Sequence, residues 1–437
     1  MNIIRHFFVF AVAGAAFAAV AAPYSFNIVC DEPERMRRVG EETEFRIFCT
    51  DIGTNSVGGE VEVRLDNFGS TTLVSRRIDP SKENPVILKG SLGSPGFLRA
   101  VAINPGISAT PFGLGKGNGC DSVGYEAEKL RPGFSRPADF DSYWEGEQMR
   151  LNREVPLDVR REPLSGKKGF KIWKISIATF GGKRVWGFLS MPDDGSKGPW
   201  PLKVSVPGAG PAFPEALAPT EKGVISLVMN VHPFEPGKTQ KEQSALYAEQ
   251  DKRMLAKYGV TYATAGIAVS REECFFHDAI LGIDRAVDWA AALPEVDRSR
   301  IWYHGGSQGG GFGMYLMGLN RNFTRGIVWV CALADHGGYL SGRIPGWPRM
   351  VARSGGKEAE KTAAQNALYF DACHFAPRVK VPVRMTVSLA DVCCPPPSVW
   401  CVYNCLGSSD KEIVPCPGVG HAFPADVKAR LYKWLAQ

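Results

Sequence analysis

The chain is poor in histidine: seven residues in 437, of which only His421 comes after position 374. It has no lysine or arginine block. Arg35, Arg37 and Arg38 make only a short cluster, and the net charge of +6 is small for this length, so nucleic acid is excluded as a partner selected by charge. Apolar runs long enough to span a bilayer are missing too. The nearest is the uncharged stretch from Phe7 to Val20, preceded by Arg5 and His6 and closed by the small residues Ala19-Val20-Ala21. That make-up reads as a secretory signal peptide over residues 1–21, without stable membrane insertion, and it places the mature protein in the periplasm or outside the cell. Asn27-Ile28-Val29 before Cys30 is not a lipobox. The spacings of the 11 cysteines match no zinc pattern, so no metal is expected.

Export permits disulfides. Cys30 and Cys49 could staple the first strands. Cys393, Cys394, Cys401, Cys405 and Cys416 crowd into one stretch, where at least one bridge is expected: Cys405–Cys416, or Cys401 with Cys393 or Cys394. Cys393 and Cys394 point apart in an extended chain and are not expected to join each other.

Two patterns divide the rest. Residues 22–118 hold short alternating runs separated by Gly, Pro, Asn and Asp: Glu44 to Asp51, Gly59 to Asp66, Thr71 to Ile78, Pro85 to Lys89 and Phe97 to Ile103. They read as a small all-β, immunoglobulin-like sandwich. It carries no histidine and reads as a structural appendage. Residues 119–437 alternate β and α. Asp139 is a candidate N-cap for a helix that puts Phe140, Tyr143 and Trp144 on one face. Gly181-Gly182 marks a hairpin turn. Buried strands at Leu202 to Val206, Ile225 to Val231, Gly326 to Leu333 and Val383 to Leu389 interleave with helices at Gln243 to Lys257, Glu273 to Ala291 and Ala425 to Leu435. A mostly parallel sheet with helices on both faces follows.

Within that unit, Ile301-Trp302-Tyr303-His304 runs into Gly305-Gly306-Ser307-Gln308-Gly309 and then a helix-forming segment. This is G-x-S-x-G at a strand–turn–helix junction, the nucleophile elbow of the α/β-hydrolase fold. The turn lifts the Ser307 hydroxyl clear of the sheet and aims the Gln308 N–H at the place where an oxyanion forms. A serine nucleophile needs a base and a carboxylate that orients it, in the chain order Ser, acid, His. His421, in the loop before the last helix, is the base. Asp391, at the end of the strand Val383 to Leu389, is the acid, and Asp335, at another strand end, is its rival. Gly208-Ala209-Gly210 follows the strand Leu202 to Val206 and offers the Ala209 N–H as second oxyanion donor. His232 and His336 also follow strands and read as structural. This chemistry requires no cofactor.

These residues resemble the acetyl xylan esterase/cephalosporin-C deacetylase group of carbohydrate esterases. The resemblance covers roughly residues 130 to 435. It rests on Arg136-Pro137, Asp139-Phe140-Asp141 and Trp144; Gly181-Gly182; Asp297, Arg300-Ile301; Gly305 to Gly310; Asp391 with Cys394-Pro395-Pro396; Tyr403-Asn404; Lys411-Glu412-Ile413; and Gly420-His421. It implies Ser307 as nucleophile, Asp391 as orienting acid, His421 as base, and acetylated xylan or related sugars as substrate. Two motifs depart from the group. Its His-Gly-Tyr-Gly becomes Pro207-Gly208-Ala209-Gly210, which keeps the backbone donor and removes the tyrosine. Its Asp-x-Arg-Gly becomes Asn230-Val231-His232-Pro233. The group's ring-like assembly implies a homo-oligomer, and the added β domain is the feature set against a ring. The rival readings are an α/β-hydrolase cutting another ester or a peptide, and a non-catalytic carbohydrate-binding envelope protein.

Overall fold

The computed structural model describes residues 23–51, 59–69, 71–107, 109–110, 113–115, 117–165 and 167–437. The segment expected as a signal peptide, 1–21, lies outside the described residues.

Strands β1 (Tyr24–Cys30), β3 (Thr43–Asp51) and β6 (Val86–Gly90) form one sheet. A second contains β2 (Met36–Arg37), β4 (Val61–Asp66), β5 (Thr72–Ile78), β7 (Gly96–Ile103) and β10 (Gly119–Tyr125), in the order β2-β10-β7-β4-β5. A small hairpin, β8 (Ala109–Thr110) and β9 (Gly113–Leu114), lies between β7 and β10 in the chain. Side chains alternate across a strand, so Phe45, Ile47 and Cys49 of β3 all point inward. They share one apolar core with Val61, Val63 and Leu65 of β4, which makes the two sheets a sandwich. Its strand β10 lies beyond residue 118, where the composition changes.

The register overturns the expected staple. Cys30 stands opposite Phe45, and Cys49 opposite Phe26. The cysteines are therefore four positions apart along the ladder (45 to 49), roughly 13 Å, beyond the reach of a disulfide. All eleven cysteines are free thiols. The bridge expected between 393 and 416 does not form because the side chains turn to other neighbours. Cys401 Sγ lies 3.8 Å from Asp335 Oδ2, and Cys416 Sγ lies 3.7 Å from the Val414 carbonyl.

The second unit is built on nine strands: β11 (Val159–Pro163), β12 (Phe170–Ala178), β13 (Arg184–Pro192), β14 (Trp200–Ser205), β15 (Ile225–Asn230), β16 (Val296–Gly306), β17 (Arg325–Trp329), β18 (Val383–Ser388) and β19 (Lys411–Cys416). Their order is β11-β12-β13-β15-β14-β16-β17-β18-β19. Pairing is antiparallel as far as β15 and parallel from there to β19. Strands covered on both faces read as continuous apolar runs, and every residue of β15 is buried.

The helices are α1 (Phe140–Glu154), α2 (Gln240–Tyr258), α3 (Phe275–Ala291), α4 (Gln308–Leu319), α5 (Lys357–Ala367), α6 (Ala372–Phe375), α7 (Pro396–Cys405) and α8 (Ala425–Leu435). On α3, Phe276, Ile280, Ile283, Val287 and Ala290 are buried along one stripe. On α8, Leu431 and Leu435 close a separate cluster over Trp302 and Ile327. Asp139 occupies the N-cap of α1 without a side-chain cap bond. This is the expected α/β-hydrolase architecture behind an all-β unit. Among the described residues no helix is long and apolar enough to cross a membrane.

Candidate active site

Ser307 sits between the end of β16 and the start of α4, with φ 56° and ψ −125°. A non-glycine residue there carries backbone strain of about 1–3 kcal/mol, held by its surroundings. Here the Ser307 N–H donates to the Trp329 carbonyl at 3.1 Å, and the Ser307 carbonyl accepts from the Ala332 and Gly311 N–H groups at 3.0 and 3.1 Å. The flanking glycines are required by packing. A Cβ on Gly309 would run into the Val206 carbonyl, and one on Gly305 would lie 2.6 Å from the Gly309 carbonyl.

The three residues expected to act together meet. Ser307 Oγ donates to His421 Nε2 at 2.9 Å, and His421 Nδ1 donates to Asp391 Oδ2 at 2.8 Å. Asp391 is fully buried, and its second oxygen accepts from the Cys393 and Cys394 N–H groups at 2.8 and 3.0 Å. Two loops carry the acid and the base, and they are zipped together. Leu389 N–H donates to Cys416 O at 3.0 Å, and Ala390 N–H donates to Val419 O at 2.9 Å. Burial disfavours the His421 imidazolium, but the hydrogen bond and charge of Asp391 outweigh it and hold the pKa above its ordinary value.

The rival acid lies elsewhere. Asp335 is buried against Arg343, 3.0 Å away, and accepts from Gly133 N–H at 2.7 Å. Burial pushes its carboxyl up to about 6. His336 is buried, with Nε2 3.3 Å from the Phe370 carbonyl.

As the first residue of α4, Gln308 has an N–H with no acceptor inside the helix. Its side chain is turned into the protein, accepting from Tyr262 Oη at 2.8 Å and lying 3.4 Å from the Pro207 carbonyl. Ala209 is exposed on the loop after β14. His232 steadies that loop: Nε2 donates to the Gly210 carbonyl and Nδ1 accepts from Gln250 Nε2, both at 2.8 Å. Burial takes its pKa down to about 4, so the ring is neutral. Tyr262 and Gln250 carried no signal in the sequence, since their partners are 46 and 18 positions away.

Two concavities hold residues of the site. One, of about 680 Å³, contains Ala209, Tyr262 and Trp347. The other, of about 500 Å³, contains Asp391, Cys393 and His421. Cys393 Sγ, Cys394 Sγ and a His421 ring nitrogen lie within 4.8 Å of one another. Both ring nitrogens are already bonded, Nδ1 to Asp391 and Nε2 to Ser307, so a cation held there would break one of these bonds. The hydrogen bond with Cys394 draws the Cys393 thiol down to about 7, against its burial.

Fold and family match together define the class: a carboxylic ester hydrolase on the α/β-hydrolase scaffold. The Acetyl xylan esterase (AXE1) family model matches residues 125–437. The chain belongs to the acetyl xylan esterase family. It is 25% identical to acetyl esterase Axe7A of Xylanibacter ruminicola over 422 residues, 95% of this chain and 90% of that one. Among solved structures, it resembles an acetyl xylan esterase from a Paenibacillus species, with 20% identity, a TM-score of 0.58, and coverage of 71% of this chain and 98% of that one. Acetyl xylan esterase 1 from a Thermoanaerobacterium species gives 19%, 0.56, 71% and 96%. At such identities the solved structures establish the fold.

Proposed function

We propose that this chain is an exported serine esterase that removes acetyl groups from acetylated xylan or related sugars. The observation that carries the reading is the continuous relay Asp391–His421–Ser307 at 2.8 and 2.9 Å. In this reading Ser307 Oγ attacks the acetyl carbonyl carbon while His421 Nε2 takes its proton. The Gln308 and Ala209 N–H groups stabilise the oxyanion. The tetrahedral intermediate collapses, and His421 returns the proton to the departing sugar oxygen. Water, activated by His421, then cleaves the acetyl-serine and releases acetate. Asp391 holds the imidazole in the tautomer with the proton on Nδ1.

The test is acetate release from acetylated xylan and acetylated mannan, beside a p-nitrophenyl ester series from acetate upward. A steep preference for acetate, lost in Ser307→Ala, is expected. Preference for long acyl chains or for peptides would favour the rival hydrolase reading. A fluorophosphonate probe should label Ser307 and no other serine. Export is supported by residues 1–21, and N-terminal sequencing of the mature protein from the periplasm or medium tests it.

A further inference from the structure

In the esterase reading His421 hands its proton to the departing alcohol, so the sugar must lie against His421 Nε2. Ala209, the second oxyanion donor of that reading, lines the other concavity. The cleft that contains His421 is not walled by the hydrolase unit alone. Opposite His421 and Cys393 stand Phe26 and Ile28 of β1, Leu114 of β9, and Asn118 just before β10. All four come from the sandwich side, upstream of the family match.

That wall is fixed to the catalytic loops. Ser122 Oγ of β10 donates to the carbonyl of Leu389, two residues before Asp391, at 2.6 Å. Gly418 N–H, three residues before His421, donates to Asp121 Oδ1 at 3.0 Å. Asp121 is buried, with Arg35 2.9 Å from its other oxygen. The last sandwich strand thus holds the loops of both the acid and the base.

We propose that the N-terminal sandwich forms the leaving-group side of the active site, and that the sugar bearing the acetyl group binds in the cleft between β1, Leu114 with residues 117–119, and the His421 loop. This rests on the esterase reading. The cleft offers half-buried apolar surface from Phe26, Ile28 and Leu114, against which the apolar face of a sugar ring can lie. Its volume of about 500 Å³ falls within the roughly 300–1,000 Å³ of small-molecule sites.

The experiment uses the full chain and three variants: Leu114→Trp, which fills the cleft, Phe26→Ala, which strips its aromatic surface, and Trp347→Ala in the other concavity. The readout is a ratio: kcat/KM on an acetylated xylo-oligosaccharide over kcat/KM on ethyl acetate. The ratio is expected to fall at least tenfold in Leu114→Trp, mainly through KM, and at least threefold in Phe26→Ala. A ratio unchanged in either of the first two variants, where that variant keeps the wild-type melting temperature, overturns the proposal. So does a fall produced only by Trp347→Ala, which would seat the sugar on the opposite side of Ser307. Failure of the esterase reading looks different: the wild-type chain itself would release no acetate from the oligosaccharide.

Discussion

His421 is pulled two ways, and in the proposed mechanism the balance sets how activity depends on pH. Burial favours the neutral ring, while Asp391 favours the charged one and wins. The base must be neutral to accept the Ser307 proton. kcat/KM should therefore rise with pH through an inflection above about 6.5, the ordinary histidine value, and then level off. Asp391→Asn removes the group that raises the pKa, so the inflection should move to lower pH. The same change should lower kcat by about 10⁴ through loss of the correct tautomer. Asp335→Asn should instead lower the melting temperature and affect kcat far less, since Asp335 is engaged with Arg343 and Gly133. A pH–rate profile and a melt on both variants separate the two acids. Ser307→Ala should reduce kcat by about 10³–10⁶, and adding His421→Ala should change little more, because the residues act as a unit. Single-turnover kinetics on Ser307→Ala and on the double variant checks this. Much of the site can be read from the chain because each of its three residues stands at a recognisable junction, although folding must bring together partners 114 and 30 positions apart. The glycines around Ser307, an aspartate at a strand end and a histidine before the last helix each leave a mark in order. Tyr262 and Gln250 leave none, since neither stands in a pattern of its own and each matters only through the partner it meets in the fold.

At the scale of elements, β10 was the hardest to read. Its sequence, Gly-Cys-Asp-Ser-Val-Gly-Tyr, breaks the apolar alternation that exposes the other sandwich strands. Glycine-rich residues before it suggest a linker. Asp121 and Ser122 are buried because they bond to loops nearly 300 positions away, and single-sequence periodicity cannot register that. Asp121→Ala leaves the Gly418 N–H without its acceptor and Arg35 without its partner. Breaking a buried pair from one side costs about 3–5 kcal/mol. We expect a clear fall in melting temperature together with a fall in kcat. Asp121→Asn, which keeps an acceptor for Gly418, should recover part of the kcat. Denaturant melts and steady-state kinetics on the pair measure both effects. The cysteines failed as a guide for a related reason: spacing in sequence does not say which way a thiol faces. Mass spectrometry under denaturing, non-reducing conditions should count eleven free thiols, and any smaller number would reveal a bridge.

Across the whole molecule the two units share packing. Phe68 and Phe97 of the sandwich belong to the same buried cluster as Trp400 and Val402 of α7. Exposing a buried phenylalanine costs about 1.5–3 kcal/mol. Cutting the chain at residue 119 would strand β10 and uncover this surface, and cutting after it would also remove the ties to both catalytic loops. We expect either truncation to be less soluble and less active than the full chain. The intact protein should melt in one calorimetric transition, whereas two separate transitions would show that the units fold independently. The alternation of strands and helices fixes the α/β-hydrolase scaffold plainly, because periodicity is a local property. How the sandwich leans on that scaffold depends on long-range contacts, and those show only in three dimensions.

The bond from Gly418 to Asp121 also bears on how such a protein can change over generations. A substitution in the first 125 residues, where no catalytic motif stands, can disable the enzyme as surely as one beside Ser307. A sandwich borrowed from a relative would have to bring an acceptor for Gly418 and a donor for Leu389 in the right places. The two halves would then work as a matched pair, and chimeras joined between them should lose activity and melting temperature wherever position 121 no longer offers that acceptor.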